Sequence, residues 1–221
     1  LTQRAKAEDL CWAITTKMAH LAKKIGEDEI RYELESELSD TYFCNFSVFQ
    51  SLPDSWALGQ IFPVVPIHRH NQRPDRRAVL VDLTCDSDGK ISEFIDASTG
   101  DTQKYLEVHS LNDNEPYYIG AFLCGAYQEI LGDLHNLFGD TDAVHVTIHE
   151  NGYTLDHVVE GDTVAEVLSY VEYQKSELIE KLRQSTESAI AENRLTRQEA
   201  RLLMKNYEIG LSGYTYLEDP E

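Results

Sequence analysis

The chain has 221 residues, enough for one good hydrophobic core and a second small one. Hydrophobic residues make up 42% and charged residues 26%, with no long uncharged apolar stretch, so a bilayer-crossing helix is excluded. Lys and Arg number 19 against 39 Asp and Glu, a formal charge of -20 that repels phosphate backbones and anionic lipid headgroups and leaves either a cationic ligand or plain solubility as its use.

From Thr2 to Ile25 the apolar residues Leu10, Ile14, Met18, Leu21, Ala22 and Ile25 recur at three- and four-residue steps, which predicts a helix with one buried face. Residue 1 is Leu, and charges are scattered through the first twenty residues. There is neither an initiator Met nor a signal-peptide core, and the chain reads as cut from something longer. After Gly26 a shorter acidic helix is expected over Asp28 to Leu38, ended by Ser39 and Asp40.

Beyond residue 40 the pattern changes to short apolar or alternating runs between turn residues. Strands are expected at Thr41 to Phe49, Gln60 to Ile67, Arg77 to Leu83, Tyr105 to Val108, Tyr118 to Cys124, Val144 to His149 and Tyr153 to Val159. Asn151-Gly152 between the last two offers the two positive-φ positions of a tight hairpin. Prolines 53, 63, 66 and 74 sit at run edges, where a missing N–H does least harm.

Asp162-Thr163 caps a helix to about Tyr170, and two more follow, Glu177 to Glu192 and Arg197 to Ile209, the last opened by a Thr196/Glu199 capping box. The expected organisation is α+β: a helical segment over 1–40, an antiparallel β-sandwich or barrel over 41–172, and a helical bundle with a tail over 173–221.

Four cysteines, Cys11, Cys44, Cys85 and Cys124, stand far apart with no CxxC pair, which argues against a disulfide framework and a zinc site and for a reducing, cytoplasmic setting. The histidines lack metal spacing too. His145 and His149 share a strand face, where solvated histidines are the common case, and His68 and His70 lie in a loop rich in Pro and Arg.

Two segments carry reactive groups. In Asp82-Leu83-Thr84-Cys85-Asp86-Ser87-Asp88-Gly89 a thiol and acids sit where a strand runs into a turn; a thiol with a pKa of about 8.5 is protonated at neutral pH and gives its proton up readily, which suits a general acid. The same letters also describe an ordinary Asx-capped surface turn. In Gly120-Ala121-Phe122-Leu123-Cys124-Gly125-Ala126-Tyr127, small residues precede an aromatic hydroxyl. There Gly125 would let a phosphate approach and Tyr127 would bond it, or the run is a packed strand with a bulge.

Taken with Phe43-Cys44-Asn45-Phe46-Ser47-Val48-Phe49-Gln50-Ser51, these segments become specific. The sequence resembles the biosynthetic arginine decarboxylases, relatives of the ornithine and diaminopimelate decarboxylases, which have the fold-type-III, alanine-racemase-like architecture. The match continues through Ser51-Leu52-Pro53-Asp54-Ser55-Trp56, Gln60-Ile61-Phe62-Pro63-Val64, Arg76-Arg77-Ala78-Val79, Gly125 to Gly132, His135 to Asp140, Glu160 to Val164 and Gly213 to Leu217.

The resemblance implies L-arginine as substrate, agmatine and carbon dioxide as products, polyamine biosynthesis as the setting, and pyridoxal 5'-phosphate and Mg2+ as cofactors. It implies a homo-oligomer, a dimer or dimer of dimers, with the active site at the subunit interface. A TIM-barrel domain carrying the Schiff-base lysine is absent from this chain, so the fragment alone is expected to be inactive. Cys85 would protonate the α-carbon, Asp86 would pair with the guanidinium, and Tyr127 with Gly125 would hold the cofactor phosphate. Ornithine-type relatives carry an aspartate where this chain has Phe46, which favours the longer arginine side chain. Asp88, Glu129 and His135 are candidates to share the guanidinium, each with a bland alternative. Three rival readings stay open: decarboxylation of another basic or diamino acid, a non-catalytic homologue that only binds a partner, and an assembly module made of the helical ends.

Overall fold

The computed structural model describes residues 2–96, 99–112 and 115–218. Two compact units emerge, one from residues 1–44 and 54–127 and the other from 45–53 and 128–221.

In the first unit, α1 (Thr2–Ile25) and α2 (Asp28–Glu37) pack against each other. The expected buried face of α1 is corrected: only Ala19 and Ala22 are buried, while Leu10, Ile14, Met18, Leu21 and Ile25 are exposed. The helical period is right, but α2 is too short to cover the stripe. An ion pair at 3.0 Å between Glu35 and Arg77 ties α2 to the sheet.

The chain then enters β1 (Asp40–Phe43), α3 (Val48–Ser51), α4 (Pro53–Leu58), β2 (Val64–Pro66), β3 (Arg76–Val81), β4 (Lys90–Ile91), β5 (Phe94–Ile95), β6 (Thr102–Gln103), β7 (Leu106–Val108) and β8 (Ile119–Ala121), of which α3 belongs to the second unit. The central strand is β3. It pairs in parallel with β1, and antiparallel with β7 near its start and β4 near its end. β2 with β8, and β5 with β6, form separate two-stranded sheets. Ala78 and Leu80 of β3 point into a core completed by Tyr42, Phe62, Ile91, Phe94, Tyr105, Leu106 and Val108.

This corrects the expected antiparallel sandwich or barrel. No closed barrel forms among the described residues, and the β1–β3 pair is parallel because the helical connection over 44–75 lets the chain re-enter in the same direction. The strand expected over Thr41 to Phe49 stops at Phe43. Ser47, fully buried, caps α3 by accepting the Gln50 amide, so a helical turn replaces the second half of the run.

In the second unit a 3-10 turn at His135–Leu137 precedes the hairpin of β9 (Ala143–His149) and β10 (Gly152–Val159). The hairpin lies where Asn151-Gly152 places it, but His149 pairs with Gly152, so Glu150 and Asn151 form the loop and only Gly152 takes a positive φ, 138°. Then α6 (Val164–Tyr170), α7 (Lys175–Ala191) and α8 (Arg197–Ser212) pack together around Val167, Ala189, Ala200 and Leu211. Thr163 with Glu166 and Thr196 with Glu199 make complete capping boxes. Asn45 clips the tail, its amide donating to the Leu217 carbonyl and its carbonyl accepting the Leu217 N–H, both at 2.9 Å. No helix among the described residues is long and apolar enough to cross a membrane.

Candidate active site

Cys85 and Asp86 ride on the loop that joins β3 to β4. Strand β3 alternates its side chains, and residues 78, 80 and 82 share the inward face, so the loop begins from a buried acid, Asp82, which is 2% exposed. Burying a carboxylate is costly unless it is bonded. Here Oδ1 of Asp82 accepts the Thr84 amide at 2.9 Å and the Thr84 hydroxyl at 2.7 Å.

The Asp82 amide donates to the Gly89 carbonyl at 2.8 Å, closing the loop neck. Within the loop, Oδ1 of Asp86 accepts the Asp88 amide at 3.0 Å, and the Asp86 carbonyl accepts the Gly89 amide at 3.1 Å. The surface turn and the reactive motif are therefore one object, an Asx turn with the Cys85 thiol and the Asp86 carboxylate exposed on it. A carboxylate offers roughly four lone-pair sites, so accepting the Asp88 amide is compatible with also accepting both N–H groups of a guanidinium edge.

Tyr127 lies near the start of α5 (Ala126–Ile130), with 77% of its surface exposed, and Gly125 precedes the helix. A Cβ on Gly125 would meet nothing within 4 Å, so this chain leaves open space there rather than demanding glycine. An exposed phenolic hydroxyl can donate a hydrogen bond to an anionic oxygen. Both segments belong to the first unit, but they leave different sheets, the Cys85 loop from β3 and the Tyr127 segment from β8.

Among the other candidates, Asp88 sits exposed in the Cys85 loop and Glu129 is exposed on α5. His135 lies in the 3-10 turn of the second unit, its ring centroid 4.6 Å from that of Phe49. On the hairpin, His145 faces His157 with ring centroids 5.8 Å apart, and His149 Nε2 is 3.0 Å from the Thr154 hydroxyl. No group of three or more His, Cys, Asp or Glu among the described residues is placed to hold a metal ion. Burial pushes the thiol of Cys44 up to about 11, which keeps it protonated and inert at neutral pH.

Nothing in the letters of the motif sets Asp82, Thr84 and Gly89 apart from their neighbours. The period-two extension of Ala78 and Leu80 to residue 82 was the available signal. Ser47 was missed as a cap, although Ser47 with Gln50 three residues on has the form of a capping box.

Residues 164–217 match the family model described as the arginine decarboxylase C-terminal helical extension. The biosynthetic arginine decarboxylase of Gloeobacter violaceus is 52% identical over 224 residues, covering 98% of this chain and 34% of the relative. That of Phocaeicola vulgatus is 53% identical over 220 residues, with 99% and 34% covered. The crystal structure of the biosynthetic arginine decarboxylase of Campylobacter jejuni superposes with a TM-score of 0.66 at 31% identity, covering 86% of this chain and 32% of that one. The chain thus spans about a third of the length of the curated relatives it matches.

Proposed function

The chain belongs to the biosynthetic arginine decarboxylase family, matching the carboxyl-terminal third of its relatives, and from that premise we propose that it supplies the substrate-side half of an active site converting L-arginine to agmatine and carbon dioxide. The observation that supports this reading best is a thiol and a carboxylate exposed side by side on a loop whose neck and acid are hydrogen-bonded from within.

Asp86 orients the substrate. Its carboxylate meets the guanidinium edge in two parallel charge-assisted bonds, and the Asp88 amide holds it in place. The surrounding acid excess favours a cation over a neutral ligand. Tyr127 donates its hydroxyl to the cofactor phosphate, and Gly125 leaves room for it.

Pyridoxal 5'-phosphate, when bound, supplies the electron sink for the pair left on the α-carbon as the bond to the carboxylate breaks and carbon dioxide departs. The Cys85 thiol then gives its proton to that carbon, and the thiolate regains one from water. The cofactor lysine comes from a barrel domain of a partner subunit, in a dimer or a dimer of dimers with a cytoplasmic setting.

The test uses the full-length protein bearing this chain. Agmatine and carbon dioxide should form from L-arginine in preference to ornithine, lysine or diaminopimelate, and Cys85→Ala should slow turnover by roughly 10² to 10⁴. Preference for another substrate, or wild-type turnover in Cys85→Ala with unchanged product, overturns the assignment.

A further inference from the structure

The loop that carries Cys85 and Asp86 closes over a small buried knot. Asp82 takes the inward register after Ala78 and Leu80, where an apolar side chain is the ordinary occupant, and it is 2% exposed. Its Oδ1 accepts both the Thr84 amide and the Thr84 hydroxyl, so the residue just before Cys85 is held at two points. Gly89, at the far end of the loop, is pressed onto the same oxygen. A Cβ there would lie 2.1 Å from Asp82 Oδ1, 2.6 Å from Thr84 Oγ1 and 2.7 Å from Asp82 Cγ, closer than real side chains approach. The entry of the loop is thereby bonded to the Asp82 carboxylate, and its exit packs against the same group.

We infer that Asp82, with Thr84 and Gly89, is a positioning lock for Cys85 and Asp86, so that Asp82 governs the reaction without touching substrate. The inference rests on the proposed roles of Cys85 and Asp86. Its physical basis is that proton transfer and bidentate pairing depend steeply on placement, a 1 Å error being able to cost on the order of 10²-fold. A carboxylate holds such a loop better than an apolar residue because its bonds are directional, and burial keeps water from competing for them.

The experiment uses the full-length holoenzyme with Asp82→Asn, Asp82→Ala, Gly89→Ala and the double variant Asp82→Ala/Gly89→Ala, with Cys85→Ala in parallel. Three readouts are taken at a temperature where circular dichroism shows every variant folded. They are kcat and KM for arginine, the fraction of turnovers in which the proton goes to the cofactor instead of the α-carbon, and the rate of Cys85 alkylation by iodoacetamide. A lock predicts that Asp82→Ala lowers kcat by roughly 10²-fold, raises KM and shifts the alkylation rate severalfold. Asp82→Asn, which keeps an oxygen for the Thr84 amide, should retain most of each.

Gly89→Ala should mimic Asp82→Ala, because its methyl occupies the place of Oδ1. In the double variant that place is vacant, so the combined loss should be no larger than the worse single one. Thr84→Val, which removes the hydroxyl bond and keeps the amide, is the milder variant should Asp82→Ala not fold, with a severalfold loss expected. Wild-type kcat, proton partition and alkylation in Asp82→Ala, or losses that multiply in the double variant, overturn the lock. Wild-type turnover in Cys85→Ala would instead strike the proposed role of Cys85, while the alkylation rates still decide the lock.

Discussion

Replacing Asp86 by asparagine isolates the charge in the proposed guanidinium pair. The substituted amide would keep a carbonyl oxygen for the Asp88 N–H, the bond now made at 3.0 Å, so that turn bond survives while the negative charge is lost. A hydrogen bond to a charged group is worth about 1.5 to 3 kcal/mol, which converts to a loss of about 10- to 150-fold in arginine affinity. Asp86→Ala removes the turn bond as well and should cost roughly another 1 kcal/mol, felt in the loop as much as in the substrate. The assay is steady-state kcat/KM on the full-length enzyme with arginine, together with inhibition by citrulline, which has nearly the same shape without the charge. Asp86→Asn should weaken arginine and leave citrulline almost unchanged. Equal losses for the two ligands, or unchanged arginine KM at unchanged kcat, would falsify the pairing of Asp86 with the guanidinium.

Three further outcomes concern the scaffold. Burial raises the pKa of Cys44 from 9.0 to about 11, raises those of Tyr42 and Tyr105, and pushes Tyr214 up to about 12, so the native state holds these protons more tightly than the unfolded chain. The stability this confers is complete below pH 9 and is lost as pH rises through about 11. Cys44 alone accounts for on the order of 3 kcal/mol, so urea denaturation should show a decline over that window, and a flat profile refutes the burial argument. Leu80→Ala, at a site 2% exposed in the central strand, should cost about 2 to 5 kcal/mol, whereas Ile14→Lys on the open face of α1 should stay within about 0.5 kcal/mol in thermal melts. Thr196→Ala, which breaks the capping box of α8, should cost about 1 kcal/mol by the same measurement, and no change would mean the box contributes nothing there.

What the sequence disclosed depended on how local the cause was. The Thr196/Glu199 capping box, the cap at Thr163, the hairpin and the long helices are set by residues a few positions apart, and the structure places them where the patterns indicate. The parallel pairing of β1 with β3 joins segments nearly forty residues apart, and alternation looks the same whether the partner runs up or down. At the candidate site, the letters around Cys85 and Asp86 fit an ordinary Asx-capped turn as well as a reactive motif, and it is the resemblance to the decarboxylase family that singles the pair out. Asp82 carries no such mark. Its importance comes from being buried against Gly89 and Thr84, a relation created only when the loop folds back on its own root.

The apolar stripes show the same distinction from the other side. In α1 the residues Leu10, Ile14, Met18, Leu21 and Ile25 keep a helical period, and in the hairpin Val144, Val146 and Ile148 stand opposite Val158, Leu155 and Tyr153 to make one wholly apolar face. Each pattern identifies its element correctly, yet every one of these side chains is exposed in this chain. Periodicity states which face an element is able to bury. How much of it is buried depends on the area a neighbour presents, and along α1 only Ala19 and Ala22 are covered, where α2 turns back against its final turns. A two-stranded ribbon has still less to offer itself, since both its strands spend their apolar side chains on the same face and neither can cover the other.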